Sequence, residues 1–491
     1  DITPNRADAL SHYGVARDLA VYFGANENYK TLKFPDLKPL RKTADLPFNI
    51  TIEDKNACSR YCAISIKGVV VKDSPDWIKK KINAIGLTPI NNIVDITNFV
   101  MHELGQPLHA FDYAVTGKEI KIKSNLENTK FKTLDGIERK LEGDQLMICN
   151  STEPICIAGV YGGEKSGVSE KTKDIVLESA YFNPVSIRKT SKSHSLKTDA
   201  SYRFERGVDP KMTVKALQRA ANLIVEIADG NIGSEIKDEI VNEVKNFSVD
   251  FKFSNCNNLL GIDIPQENIK TILKQLEIEI LEDKGDLLKL SVPAYRVDVQ
   301  RECDVIEDIL RVYGYNNVKI PNSLKSSINV NTGIPPEKIQ NDISNLLVNL
   351  GFNEIMNNSL TKSNYYEGLE NILPEQNIEL LNPLSQDLNI LRRSLIFGGL
   401  ECISKNQNMK NPDLKFFEFG KTYWKDNQGK YQEKKHLSLL ITGKKEEDSW
   451  NNKSNTVNYF TLKGYITILI EKLGIKKLKT KSLQNDFLIE G

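Results

Sequence analysis

The sequence predicts a multidomain α+β protein, and three observations carry that reading. At 491 residues the chain exceeds what one hydrophobic core fills. At roughly 150 residues per domain, about three domains are expected. Residues 49–245 alternate strand-like and helix-like patterns, which indicates an α/β unit. From residue 323 onward, strand-like runs separated by long connections indicate a mostly antiparallel sheet.

Composition narrows the function classes. Hydrophobic residues make up 40% and charged residues 27%, ordinary for a globular protein. The formal net charge is +1, so any nucleic-acid contact has to come from a local basic patch. No apolar run approaches a membrane span, and no signal-peptide pattern opens the chain. The 7 cysteines are scattered. Cys58 and Cys62 are not followed by a second pair at zinc-ligand spacing, so free thiols in a reducing cytosol are expected. The ends read as cut, since Asp1 is not a start methionine and NDFLIEG stops without a cap.

Taken in order, residues 1–24 hold a turn at Pro4-Asn5 and a helix closed by Gly24. Residues 25–48 carry Pro35, Pro39 and Pro47 among lysines and read as a linker. KGVVV (67–71) is a predicted strand, and SPDWIKKKINAIG (74–86) a helix with Ser74 as its N-cap. Ile93, Ile96, Val100 and Leu104 recur at helical spacing until Gly105 and Pro107 stop the helix. ICIAGVYGG (155–163) is a strand running into a glycine turn, and DIVLESAYF (174–182) is a strand. NPVSIRKTSKSH (183–194) starts a helix capped by Asn183, and 212–230 is a long amphipathic helix. Residues 246–322 form a smaller unit with helices over 264–280 and 302–315. Beyond 323 a helix over PPEKIQNDISNLLVNLGF precedes strands at 378–383, 414–424 and 435–443.

Four constellations carry chemistry. In DITNFVMHELGQPLHAFD (95–112), Thr97 and Asn98 are adjacent on the helix, and His109 follows the Gly105–Pro107 break. Hydroxyl, amide and imidazole together can orient a polar substrate or a water, and a solvated helix face explains the same pattern. His102 reads as an exposed helix residue. Glu178 sits in an apolar strand, with Val176 and Ala180 on its face. An isolated carboxylate there needs either a ligand or an arginine, and Arg188, Arg203 and Arg206 are near in sequence. The basic segment 187–207, with Tyr202 and Phe204 interleaved, suits an RNA end or a solvated ion network. Asp298, Asp304, Glu307 and Asp308 suit Mg²⁺, or a helix N-terminus that favours acids.

The strings NNIVDITNFVMHELGQPLHAFD (91–112), IAGVYGGEKSGV (157–168), SYRFERGVD (201–209), YRVDVQRECDVIEDILRVYGY (295–315), NPLSQDLNILRRSL (382–395) and FFEFGKTY (416–423) resemble the β subunit of bacterial phenylalanyl-tRNA synthetase. The resemblance extends over nearly the whole chain. It implies a remnant of the N-terminal domain and linker over 1–48, and a B3/B4-type tRNA editing domain over 49–245. It further implies a B5-type, winged-helix-like domain over 246–322, and a non-catalytic class II synthetase-like domain from 323 to 491. An N-terminal OB module and a C-terminal anticodon-binding module are expected outside the chain. The implied activity is ATP-dependent charging of tRNA(Phe) in an (αβ)₂ heterotetramer in the cytoplasm, with the synthetic site on the α subunit. The editing site on this chain would hydrolyse Tyr-tRNA(Phe). Thr97, Asn98 and His109 match the family's editing residues, and Ala158, Gly159 and Glu178 its substrate-binding wall. Asp298, Asp304, Glu307 and Asp308 match its Mg²⁺ site, with Asp308 where the family usually has Glu. Two other readings stay open: a free-standing hydrolase of mischarged tRNA, and a non-catalytic scaffold in which Thr97, His109 and Glu178 point apart.

Overall fold

The computed structural model describes residues 2–26, 32–124, 126–320, 322–323, 326–327, 333, 335–369 and 372–476. It divides into two compact units, Asp1–Leu324 and Lys325–Gly491.

The first unit is built around a sheet whose long central strands are Cys58–Lys67 and Asp174–Phe182, paired antiparallel. The short strand Leu108–Asp112 forms one edge, and Asn231–Ile232 and Lys237–Ile240 pair along the other side of Cys58–Lys67. Alternation along Asp174–Phe182 decides what each face buries. Ile175 and Leu177 join Ile64, Ile96, Val100, Ala220 and Ile224 under the helices Asn92–Leu104 and Met212–Ile227. Val176 and Ala180 face the other way, with Tyr61, Phe111 and Phe182, into a core shared with a second sheet. That second sheet runs in the order Asn49–Ile52, Glu119–Lys123, Met147–Cys149, Pro154–Ile157, Tyr161–Gly162. Only its first pair is parallel. The alternation of strands and helices along the chain therefore does not produce a parallel sheet, and α+β describes this region better than α/β.

Local departures from the expected elements have physical causes. The strand predicted at 67–71 lies earlier, at Cys58–Lys67, because Gly68 turns the chain with φ +71. Ser74 does not cap its helix; its hydroxyl donates to the buried Asp95 carboxylate at 2.6 Å. The helix expected through 280 is Gln266–Gln275. Glu277 then takes a left-handed φ of +59, and Glu279–Lys284 continues as a strand. That strand, Leu287–Val292 and Phe247–Lys252 make a three-stranded antiparallel sheet against three helices, so residues 246–322 are less helical than the sequence suggests.

In the second unit, Leu414–Lys425 pairs antiparallel with Tyr431–Thr442, and Asn353–Glu354 lies parallel on its other side. The helix Pro336–Asn349 packs Leu347 against Phe352, Phe417 and Leu469. The strand expected at 378–383 is reduced to one bridge, Glu379 with Ile390. Arg392 and Glu418 form a buried ion pair at 2.6 Å.

Candidate functional site

The helix Asn92–Leu104 starts cleanly because the Asn91 side chain accepts from the Ile93 and Val94 amides. It ends at Gly105, whose φ of +82 suits a residue without Cβ. The next two residues anchor the edge strand. Beyond the pair Ser179–Leu108, the ladder would place Pro107 against Ala180, and proline has no N–H to give. The buried Gln106 amide donates to the Ala180 carbonyl at 2.8 Å instead. The Gly-Gln-Pro break is thus a turn plus a side-chain substitute for one missing ladder bond.

This register brings His109 opposite Glu178. Both residues line a single cavity of about 590 Å³ with Thr97, Asn98 and Gly159. His109 therefore stands beside Glu178 on the sheet, with Thr97 and Asn98 on the helix wall. The three residues that a scaffold would point apart share one space. Ala158 departs from expectation: it is buried in the core behind the wall, and its neighbour Gly159 lines the cavity. Gly159 has φ +66, and a Cβ there would meet Phe182 at 2.9 Å and Phe204 at 3.0 Å. Gly162 leaves room for the His109 ring, since its Cβ would lie 3.2 Å from Cε1.

The cavity floor is polar atoms set in apolar surroundings. Glu178 is 5% exposed, and its Oε2 is sealed without a hydrogen-bond partner. Burial pushes its carboxyl up to about 8, offset in part by the nearby Tyr61 hydroxyl. Among the described residues no arginine pairs with it. Arg203 instead donates to His102 Nδ1 at 3.1 Å and to the Leu10 carbonyl, and Arg206 stacks on Tyr202. His102 is consequently half-buried and partnered rather than exposed, and burial together with Arg203 lowers it to about 4. His109 Nε2 is sealed and unpartnered, and burial lowers the ring to about 4, so the imidazole is neutral at physiological pH. Thr97 donates its hydroxyl to the Val94 carbonyl at 2.7 Å, which leaves its oxygen as an acceptor toward the cavity.

Sequence reasoning missed two parts of the wall. Leu87, Val94, Met101, Leu134 and Val160 supply apolar surface, and the turn Lys197–Ala200 closes one side. Thr198 fixes that turn by capping the next helix at the Ser201 amide and donating to the Val160 carbonyl at 2.9 Å. A Thr-x-x-Ser spacing was the available signal for this cap.

The four acidic residues suggested for Mg²⁺ do not converge. Asp298 and Asp308 both pair with Arg296, at 3.2 and 2.7 Å, and Asp308 also pairs with Arg311. Asp304 caps its own helix and pairs with Arg301 at 2.7 Å, while Glu307 is exposed. Among the described residues no group of three His, Cys, Asp or Glu is placed to hold a metal ion. As arranged, these carboxylates serve arginines and a helix start, and they do not fit a metal.

Three family models match the chain in succession. They are the B3/4 domain over 57–229, the tRNA synthetase B5 domain over 249–315, and the phenylalanyl tRNA synthetase beta chain CLM domain over 320–491. The phenylalanine–tRNA ligase beta subunit of Bacteroides fragilis (strain YCH46) is 49% identical over 486 residues, 97% of this chain and 59% of that protein. Over nearly its whole length the chain is similar to phenylalanine–tRNA ligase β subunits. The beta subunit of Porphyromonas gingivalis (strain ATCC BAA-308 / W83) is 45% identical, again over 97% of this chain and 59% of the relative. That of Fusobacterium nucleatum is 36% identical over 99% and 60%. The chain thus spans about three-fifths of the β subunits it matches. Among the described residues no helix is long and apolar enough to cross a membrane. Every residue that lines the cavity lies within the match to the B3/4 domain.

Proposed function

We propose that this β-subunit chain hydrolyses Tyr-tRNA(Phe) in the cavity around Glu178. We further propose that it supports ATP-dependent charging of tRNA(Phe) by an α-subunit partner in an (αβ)₂ assembly in the cytoplasm. The observation that carries the reading is the placement of Glu178, Thr97, Asn98 and His109 in one cavity, with the carboxyl at an otherwise apolar floor.

The physical need is clear. A hydrophobic site built for phenylalanine rejects an added hydroxyl by only ~10²-fold, so tyrosine is attached at some frequency. A second site that selects for the hydroxyl corrects this. Glu178 gives a phenol a hydrogen-bond partner, whereas a phenylalanine ring leaves the buried carboxyl unpaired. In the hydrolysis, water adds to the ester carbonyl, the bond to the terminal ribose oxygen breaks, and tyrosine and the free tRNA end leave. Thr97 accepts a hydrogen bond from that water or from a ribose hydroxyl, and Asn98 both donates and accepts. The neutral His109 orients by hydrogen bonding without bringing charge. ATP belongs to the α-subunit reaction. Mg²⁺ is implied by the family alone.

Deacylation of Tyr-tRNA(Phe) by the full α/β enzyme carrying Glu178→Ala tests the reading. Loss of the preference for the tyrosyl over the phenylalanyl ester is expected. An unchanged preference removes Glu178 from recognition.

A further inference from the structure

Glu178 Oε2 and the Tyr61 hydroxyl are both sealed and without a hydrogen-bond partner, and the hydroxyl is near enough to favour the ionised carboxylate. They sit on adjacent antiparallel strands, where Glu178 is paired with Ala63 and Tyr61 with Ala180. Tyr61 and Glu178 are therefore diagonal neighbours on one face, a spacing that long side chains bridge. Tyr61 is fully buried and forms no part of the cavity wall, so it reaches the carboxyl from inside the core. Glu178 Oε2 is sealed, so a ligand in the cavity meets the carboxyl through Oε1.

We propose that Tyr61 is a positioning residue for recognition of the tyrosyl ester, donating its phenolic O–H to the sealed Oε2 of Glu178 so that Oε1 accepts from the substrate phenol. One hydrogen bond between the two sealed atoms satisfies both. A carboxylate flanked by two donors is stable in an apolar floor, and with one donor it is less so. A phenylalanyl ester brings no second donor. Selectivity then resides in the pair, and Glu178 alone does not supply it. This inference rests on the proposed editing reaction.

The surroundings leave Glu178 as the titrating group of the floor. Cys58 and Tyr61 on its neighbouring strand and Cys156 on the facing sheet are all pushed up by burial, and His109 beside it is held near 4. Thr97 and Asn98 on the helix do not titrate, and Lys197 and Asp199 stand at the closing turn. Tyr61 favours the ionised carboxylate, so removing its hydroxyl raises the pH at which Glu178 becomes an acceptor.

The test measures deacylation of Tyr-tRNA(Phe) and Phe-tRNA(Phe) across pH 6–9 by the full α/β enzyme, for Tyr61→Phe and Glu178→Gln. With Tyr61→Phe, kcat/KM for the tyrosyl ester falls about tenfold, the phenylalanyl ester is unaffected, and the rising limb of the tyrosyl pH profile moves to higher pH. Replacing Tyr61 by 3,5-difluorotyrosine keeps the shape and strengthens the donor, and the limb moves to lower pH. That second measurement also covers a Tyr61→Phe chain that fails to fold. An unmoved limb in the difluorotyrosine enzyme, or an unchanged ester preference in Tyr61→Phe, overturns the role of Tyr61. If Glu178→Gln still abolishes the preference in that case, the editing reading stands without Tyr61. If Glu178→Gln also leaves it intact, the editing reading itself fails.

Discussion

Glu178 and His109 are register partners on adjacent antiparallel strands, and neither side chain finds a hydrogen-bond partner for its sealed atom. Burial displaces them in opposite directions, the carboxyl up to about 8 and the imidazole down to about 4. Between those values both are neutral, so the floor of the cavity carries no charge when empty.

That displacement ties stability to pH. Between about 4.5 and 8 the native state keeps a proton on Glu178 that the unfolded chain has released, so stability falls as pH rises through this window. His109 and His102 act in the opposite sense. Below 6.5 the unfolded chain binds protons that the native state refuses down to about 4, so stability falls as pH drops. Denaturant midpoints of the first unit are expected to fall from pH 6.5 to 8, and in Glu178→Gln to stay level over that interval. Parallel slopes for the two proteins would mean that Glu178 titrates as an ordinary carboxylate.

Gly159→Val should be harmful on two counts. Its φ of +66 disfavours a β-branched residue, and the added atoms run into Phe182, Ile187 and Phe204. A loss of about 1–3 kcal/mol is expected. Thermal melting reads the stability, and hydrolysis of the tyrosyl ester should fall below what the stability loss explains, because the wall moves into the cavity.

Arg392→Met in the second unit leaves the Glu418 carboxylate buried and without its cation. A cost of about 3–5 kcal/mol is expected, and Arg392→Met with Glu418→Leu should recover most of it. Chemical denaturation of the single and double variants checks the sign. A double variant no better than the single would show that Asn357, which also donates to Glu418, needs the carboxylate more than the arginine does.

Magnesium should not stabilise this chain on its own. Asp298 and Asp308 already have Arg296 as their cation. Addition of EDTA or of millimolar Mg²⁺ is expected to leave the melting temperature unchanged, whereas Arg296→Ala lowers it. A melting temperature that rises with Mg²⁺ would show that the carboxylates rearrange around the ion.

Much of this site was legible in the sequence, and the remainder was hidden for identifiable reasons. The helix ending at Gly105 and the strand Asp174–Phe182 are written in local spacing, and so is the face that Glu178 occupies. The strand Cys58–Lys67 was overlooked because Ser59 and Arg60 interrupt its apolar run; Arg60 reaches out to Asp238, while the rest of the strand is largely buried. Tyr61 was lost with it. Ser74 looked like a cap because its true partner, Asp95, lies 21 residues away. His102 looked solvated because Arg203 comes from a distant helix. Pairings between remote segments leave no local periodic trace, and they decided which of the candidate groups are free to meet a ligand.

The Gln106 amide, which replaces the donor that Pro107 lacks, bears on how this protein can fail. The strand it anchors has five residues and a neighbour on one side only. Sliding it by one position would exchange the faces of its side chains and turn His109, which the present register sets opposite Glu178, toward the helices. Most of the core would survive such a slip, because the two long central strands do not depend on it. Gln106→Leu is the change that invites it, and the product would be a folded protein in which His109 no longer stands opposite Glu178. Mutations of this kind escape any screen for expression or solubility, and they surface only in the chemistry of the cavity.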